Sequence, residues 1–391
     1  MDLRIEGGRV LAGGRLEATS VHFTDEDGGR ISALGSEAAA SRTFDAAGAL
    51  VLPGIVDIHG DAFERQIMPR PGVSFPIGMA LIDSDRQAVA NGITTVFHGV
   101  TWSWEPGLRN GDNARMILEG IEALRPQLNA DTRLHLRHET FNLDAEDQIV
   151  DWLAGKRIHA LAFNDHLSGL LLLDGASHRL ATKLAPMIAR SGLSEDAFMR
   201  IVQAKADRRA EVPAAITRLA KKAAACQVPL LSHDDTSPEQ RQWFRALGCR
   251  VSEFPTTEDT AKEAALNGDD ILLGAPNVIR GGSHVGHVRA SDMVARGLCS
   301  VLASDYYYPA PFAAAFRLVA DGVAPIEKAW PLVSETPARA VGLDDRGIIE
   351  AGRRADLVVV DATDIAHPSL EAVVAAGRVV YLRDVGKLGA T

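Results

Sequence analysis

The sequence predicts a (β/α)8 TIM-like barrel joined to a small β-sandwich domain that both ends of the chain form together. Across the middle of the chain, eight short apolar segments alternate with helical patterns, which is typical of a parallel barrel. The two ends instead carry β-branched segments between glycine-rich turns and show no helical period. We therefore expect a composite β domain over 1–51 with 346–391 and a barrel over 52–345, for which 391 residues suffice.

The barrel region begins after the turn Pro53-Gly54, which leads into the first apolar strand. The eight strand candidates cover residues 55–59, 93–97, 133–139, 158–163, 228–232, 251–254, 271–273 and 298–303. The spacing of apolar residues predicts helices over 76–91, 113–128 and 145–154, and two or more helices over 180–226. Strand-like segments return at 355–360, 373–374 and 379–381, and we expect them to pair with the N-terminal strands.

Charge and composition argue against several classes of partner. A formal net charge of −10 disfavours nucleic acid or an anionic membrane surface. No apolar run reaches the roughly 18 residues of a membrane span, and the N-terminus does not resemble a signal peptide. The three cysteines form no CxxC pair, which indicates a reducing compartment. We expect a cytoplasmic protein with a small-molecule substrate, and the sequence leaves a homo-oligomer open.

Polar side chains recur where the strand candidates end. His59 and Asp61 follow the first strand two residues apart, so they project to the same side. The further candidates are His98, His138, Glu139, Asn164, Asp165, His166, His233, Asp234, Asp235, Ser304 and Asp305. A single histidine in such a position is more often structural. Many polar groups at successive strand ends instead indicate an active site, because unpaired buried groups are costly. Imidazole and carboxylate together suit Zn, Mn or Fe.

Basic residues are concentrated in two loops that we expect to cover the same face of the barrel. Their side chains can form paired hydrogen bonds with phosphate oxygens, and the glycine-rich loop can offer backbone N–H groups to an anion. The residues are Arg65, Arg70, Arg280, Gly281, Gly282, Ser283 and His284. The alternative is that both loops are only turns. In a chain this acidic, the grouping favours a small anionic, phosphorylated substrate.

Several motifs resemble the amidohydrolase superfamily of metal hydrolases. They are the tripeptide Leu52-Pro53-Gly54, the His59/Asp61 pair and the segment 355–359. An ordered set of further stretches resembles one branch, the PhnM family of the phosphonate (carbon–phosphorus lyase) pathway. These stretches are 64–65, 68–73, 92–97, 136–139, 165–166, 232–236, 252–257, 274–277, 280–284 and 302–306.

The resemblance implies a hydrolase that releases diphosphate from α-D-ribose 1-methylphosphonate 5-triphosphate. It also implies one or two divalent ions, with Zn favoured over Mn or Fe. His59 and Asp61 would bind the first ion, His166 and His233 the second, and Glu139 would act as a ligand that can bridge both. Asp305 would bind metal and accept the proton of the attacking water.

The sequence departs from this branch in one region. His98 stands where the family pattern implies a small or acidic residue, and Trp102 and Trp104 follow it in a loop. These tryptophans either anchor the loop by packing or reshape the pocket. Two other functions therefore remain open. One is hydrolysis of a C–N bond, by a cyclic amidase or deaminase with the same metal centre, and the other is a non-catalytic scaffold.

Overall fold

The computed structural model describes residues 2–35, 40–171, 178–282 and 288–390. The chain begins with seven short strands, several of which are separated by turns with glycines of positive φ. These strands are β1 (Asp2–Glu6), β2 (Arg9–Ala12), β3 (Arg15–Ala18), β4 (Val21–Thr24), β5 (Ile31–Leu34), β6 (Arg42–Asp45) and β7 (Leu50–Pro53). They belong to two sheets outside the barrel.

Eight parallel strands then form the barrel, each paired with the next along the chain. They are β8 (Ile55–Gly60), β9 (Ile93–Trp102), β10 (Asp131–Glu139), β11 (Ala160–Asn164), β12 (Leu230–His233), β13 (Val251–Glu253), β14 (Asp270–Gly274) and β15 (Val301–Ala303). The ring closes where the Asp305 amide donates to the His59 carbonyl (3.0 Å) and the Asp61 amide to the Asp305 carbonyl (2.7 Å). All eight predicted strands are present, although the fourth and fifth begin two residues later than predicted and the eighth three residues later.

Helices follow the barrel strands. They are α1 (Glu64–Ile67), α2 (Ile77–Ala90), α3 (Gly111–Leu124), α4 (Glu146–Ala154), α5 (His166–Leu171), α6 (His178–Ser191), α7 (Glu195–Ala206), α8 (Val212–Ala225), α9 (Pro238–Ala246), α10 (Glu258–Leu266), α11 (Ala275–Arg280), α12 (Ala290–Ala295), α13 (Ala310–Ala320), α14 (Ile326–Ala329) and α15 (Glu335–Ala340). The helix predicted over 113–128 begins two residues earlier, because the Asn110 side chain caps it by accepting from the Asn113 amide. It also ends earlier, where Pro126 enters a 3₁₀ turn. Among the helices described, none is long and apolar enough to cross a membrane.

The C-terminal strands complete the two outer sheets. These strands are β16 (Leu357–Asp361), β17 (Ser369–Ala375), β18 (Arg378–Leu382) and β19 (Leu388–Ala390). One sheet has the order β19-β6-β1-β4-β5 and the other β18-β17-β16-β7-β2-β3, so each contains strands from both chain ends. This confirms the predicted fold class. Strand β7 pairs with β2 and β16 and crosses the expected limit between residues 51 and 52, and the domain limits themselves stay a prediction.

Candidate active site

The carboxyl ends of the barrel strands bring the predicted metal-binding side chains to one mouth. His59 lies one residue before the end of β8, and the ring closes where the Asp61 amide donates to the Asp305 carbonyl and the Asp305 amide to the His59 carbonyl. His233 ends β12, and its ring centroid lies 5.5 Å from that of His59 and 5.9 Å from that of His166. Glu139 ends β10 and contacts His166. All six predicted ligands therefore surround a single region.

The His59 ring is buried and is held by side chains of β10, of β13 and of the residue that follows β13. Its Nδ1 lies 2.8 Å from Glu253 Oε1, and Glu253 belongs to β13. The rings of Phe254 and His135 contact it edge-on, at centroid distances of 4.9 and 5.2 Å. Burial lowers the pKa of His59 well below its ordinary value, so the ring is neutral. Its Nε2 is buried without a hydrogen-bond partner in the part of the chain that the structure describes.

Glu139 and His166 form a short contact at the more open side of the mouth. Glu139 Oε1 lies 2.5 Å from His166 Nδ1, and the His166 amide also donates to the same carboxylate. Burial alone would raise the pKa of Glu139, but the adjacent His166 outweighs it and lowers that pKa. The charge of Glu139 in turn raises the pKa of His166. This pair therefore favours a charged carboxylate facing a protonated imidazole when no cation is bound.

Arg137 is a central residue of the mouth that the sequence analysis did not assign. Its Nη1 donates to Asp61 Oδ2 (3.0 Å) and its Nη2 donates to His233 Nε2 (3.1 Å). It lies two positions before Glu139 on β10, and strand alternation therefore places both side chains on the inner face. That alternation was the signal from which Arg137 could have been found. A cation bound by His233 Nε2 would replace the contact with Arg137.

Three non-glycine residues at strand ends adopt left-handed backbone conformations. They are Asp234, Phe254 and Asp305, with φ of 55°, 53° and 54°. Such conformations are unfavourable for residues with a Cβ and persist where the surrounding structure imposes them, often at functional sites. Burial, and then the charge of Asp61, raises the pKa of Asp305 to about 7. A carboxyl group with that pKa can exchange protons near neutral pH.

The donor atoms fit a divalent cation. Among the described residues, two groups place one ligand atom from each member within 4.8 Å of the others, namely His59, His135 and Glu253, and His166, His233 and Asp234. His135 Nε2 and Glu253 Oε2 are buried without partners within the described ranges, as is His59 Nε2. Imidazole and carboxylate ligands suit Zn, Mn and Fe. These groups contain three of the six predicted ligands, namely His59, His166 and His233, and leave out Asp61, Glu139 and Asp305. In this structure Glu139 pairs with His166 and Asp61 with Arg137.

Two of the three predicted phosphate-binding arginines meet at Tyr306, directly after Asp305. The Arg65 guanidinium lies over the Tyr306 ring at 5.7 Å, and Arg280 Nη1 donates to the Tyr306 hydroxyl at 3.4 Å. Arg70 is exposed in a turn that pairs with Val73.

The predicted glycine-rich loop begins at the end of α11. Gly281 ends this helix with φ of 73°, a conformation that favours glycine, and Gly282 follows it. Ser283 and His284, which were predicted to bind phosphate, lie outside the described residues.

His98 and the two tryptophans lie in the core around the mouth. Burial lowers the pKa of His98 to about 4, and its ring packs against Phe63 at 4.8 Å. Trp102 packs against Trp152 at 5.0 Å, and Trp104 is likewise buried. These contacts fit the interpretation that the tryptophans anchor the loop by packing, rather than the one in which they reshape the pocket.

Comparisons with known proteins agree with this architecture. Residues 197–381 match the family described as "Amidohydrolase family". The α-D-ribose 1-methylphosphonate 5-triphosphate diphosphatase of Escherichia coli is 31% identical over 357 residues, which cover 88% of this chain and 92% of that protein. A 62-residue segment is 48% identical to adenine deaminase of Brucella anthropi, covering 16% of this chain and 10% of the deaminase. The crystal structure of dihydropyrimidinase from Brevibacillus agri shares the fold, with a TM-score of 0.65 and 14% identity over 98% of this chain and 95% of that one.

Proposed function

Because this chain belongs to the amidohydrolase family and is a hydrolase, we propose that it cleaves α-D-ribose 1-methylphosphonate 5-triphosphate with water. The products are 5-phosphoribosyl 1-methylphosphonate and diphosphate. The observation that carries this proposal is the meeting of Arg65 and Arg280 at Tyr306, the residue that follows Asp305. The nearly full-length likeness to a diphosphatase of that name supports it. A scaffold without catalytic activity is not supported.

The mouth of the barrel provides the groups that such a hydrolysis needs. The family is generally metal-dependent, and a divalent cation supplies Lewis-acid activation of water and of the attacked phosphoryl group. We propose zinc, with manganese or iron as alternatives, because the donors are imidazoles and carboxylates. The proposed ligands are His59, Asp61, Glu139, His166, His233 and Asp305.

Asp305 is the proposed proton acceptor. Its carboxylate takes a proton from the attacking water and returns it to the leaving diphosphate. The pKa of about 7 is raised by burial and by the charge of Asp61, and a bound cation would lower it. Backbone hydrogen bonds to His59 and Asp61 hold Asp305 next to the end of the first strand.

The arginines are the groups that favour a phosphorylated substrate. A triphosphate carries several negative charges, and guanidinium groups bind phosphate oxygens by paired hydrogen bonds. Arg65 and Arg280 extend from different helices, α1 and α11, toward the same tyrosine. A neutral cyclic amide would gain little from these charges.

The direct test incubates the protein, reconstituted with zinc or manganese, with this triphosphate and follows the reaction by phosphorus NMR. We expect equal amounts of diphosphate and the 5-phosphate product, and no reaction after removal of the metal with a chelator. Metal-loaded protein that leaves the triphosphate intact would contradict the proposal.

A second candidate is hydrolysis of a C–N bond. The segment that is 48% identical to adenine deaminase over 62 residues favours it. This function predicts release of ammonia or of a new carboxylate, and rates that do not depend on Arg280. Assays of the same metal-loaded protein with adenine and with cyclic amides separate the two candidates.

A further inference from the structure

The carboxylate of Glu253 is buried inside the barrel mouth and contacts a proposed metal ligand. Glu253 Oε1 lies 2.8 Å from His59 Nδ1, and both side chains are at most 1% exposed. The two residues are 194 positions apart in the sequence and come from strands β13 and β8. Burial of a carboxylate costs free energy unless the carboxylate accepts hydrogen bonds, so the burial of Glu253 beside His59 requires a physical reason.

Only one tautomer of His59 gives Nδ1 a hydrogen bond to Glu253 and leaves no buried ring N–H without an acceptor among the described residues. If Nδ1 carries the proton, it donates to Glu253 Oε1 and leaves a lone pair on Nε2. If Nε2 carries the proton, that N–H is buried without an acceptor among the described residues, which is unfavourable. In that second form the Nδ1 lone pair would also face the carboxylate oxygens. The geometry therefore favours a proton on Nδ1 and a free lone pair on Nε2.

We infer that Glu253 is a positioning residue that holds His59 in the Nδ1–H tautomer and directs its Nε2 toward the cation. A histidine that binds metal commonly donates its other ring N–H to a carboxylate, which fixes the ring and makes the ligand more basic. The inference rests on the proposed function only in taking His59 as a ligand. It gives Glu253 a role that is separate from the six proposed ligands.

The surroundings of His59 support this role. His135 Nδ1 donates to the carbonyl of Ile58, the residue before His59, at 3.0 Å. The ring of His135, from β10, and the ring of Phe254, directly after β13, contact the His59 ring edge-on. Rotation of the ring is thus restricted sterically, and Glu253 determines which nitrogen carries the proton.

The test compares the cobalt or zinc affinity of Glu253→Met and Glu253→Gln with that of the unmodified protein, by competition with a chelator. Methionine has a similar shape but accepts no comparable hydrogen bond, and we expect its affinity to fall about 10–100-fold. The glutamine amide oxygen can still accept from Nδ1–H, so this variant should retain more affinity than the methionine variant. Asp85→Asn is the control, since this buried carboxylate accepts from Asn129 and Ala130 before β10 begins, at the other end of the barrel.

A folded Glu253→Met protein with unchanged affinity would overturn the inference, and so would an equal loss in both variants. If the methionine variant does not fold, nitrogen NMR of the metal-free unmodified protein decides. His59, identified by its loss in His59→Asn, should carry its proton on Nδ1, and a proton on Nε2 would overturn the inference. Normal metal binding without hydrolysis of the triphosphate would refute the proposed function and leave the role of Glu253 intact.

Discussion

Acidification should weaken the contact that holds the segment before β16 against the barrel. Arg346 Nη1 lies 2.7 Å from Asp131 Oδ2 and 2.8 Å from Thr95 Oγ1, so it joins this segment to β9 and β10. Arg133 Nη2 donates to the same Asp131 oxygen at 2.9 Å. Burial alone would raise the pKa of Asp131, but the charges of Arg133 and Arg346 outweigh it and lower the pKa to about 2. Folding therefore stabilises the charged form of Asp131.

The size of this contribution to stability follows from the pKa of Asp131. A change from the ordinary value of 3.8 to about 2 corresponds to about 2.5 kcal/mol of stability. Because the pKa is lowered in the folded state, this contribution is complete well above pH 4 and is lost as the pH falls toward 2. At pH 3 about half of it should remain, since the unfolded chain is by then mostly protonated at this position.

The assay is urea-induced unfolding of the unmodified protein and of Asp131→Asn at pH 7 and at pH 3. We expect the asparagine variant to be less stable by about 2.5 kcal/mol at pH 7, and the difference to shrink by about 1 kcal/mol at pH 3. Asp112→Asn is the control, because Asp112 is 81% exposed and should show no such change. An identical difference at both pH values would refute the reasoning.

Three further predictions concern the site. Asp305→Asn should lower kcat by roughly 10²- to 10⁴-fold, because an amide cannot accept the proton, and steady-state kinetics at saturating metal will measure it. Arg280→Met should lower kcat/KM for the triphosphate by roughly tenfold or more, because one charged hydrogen bond is lost. The exposed Arg296→Met should leave kcat/KM unchanged, and equal effects of the two substitutions would contradict a phosphate-binding role. Trp104→Ala should reduce the free energy of unfolding by about 3–5 kcal/mol without raising KM, and a raised KM in the folded variant would favour the pocket interpretation.

The barrel could be predicted from the sequence because its strands are buried on both faces and read as short apolar runs. The two-residue period of a strand likewise indicated that His59 and Asp61 share a side, and the structure places both at the mouth, although the pairing of β8 with β9 is irregular between Asp57 and Gly60. The start of α3 was missed by two residues, because the capping contact of Asn110 was not recognised in the sequence.

The inner contacts of the site could not be predicted in the same way. The sequence predicted a strand that contains Glu253. The contact of Glu253 with His59, however, joins two residues that are 194 positions apart in the chain. Local sequence patterns predict on which face of a strand a side chain lies. They do not predict which side chain from a distant part of the chain contacts it. The position of Arg137 in the mouth could have been predicted from the sequence, since Arg137 lies two residues before Glu139 on β10 and therefore on the same face.

The choice of substrate should depend on different residues from those that perform the hydrolysis. A dihydropyrimidinase has the same fold at 14% identity, so the barrel by itself does not determine which bond is cleaved. The proposed ligands lie at or just after strand ends, with His166 as the first residue of α5, whereas Arg65 and Arg280 lie further along the chain in the helices α1 and α11. Changes at the ligands should therefore slow hydrolysis of any substrate, and changes at the arginines should selectively disfavour anionic ones. Tyr306 connects the two sets, because it contacts both arginines and follows Asp305 directly in the chain.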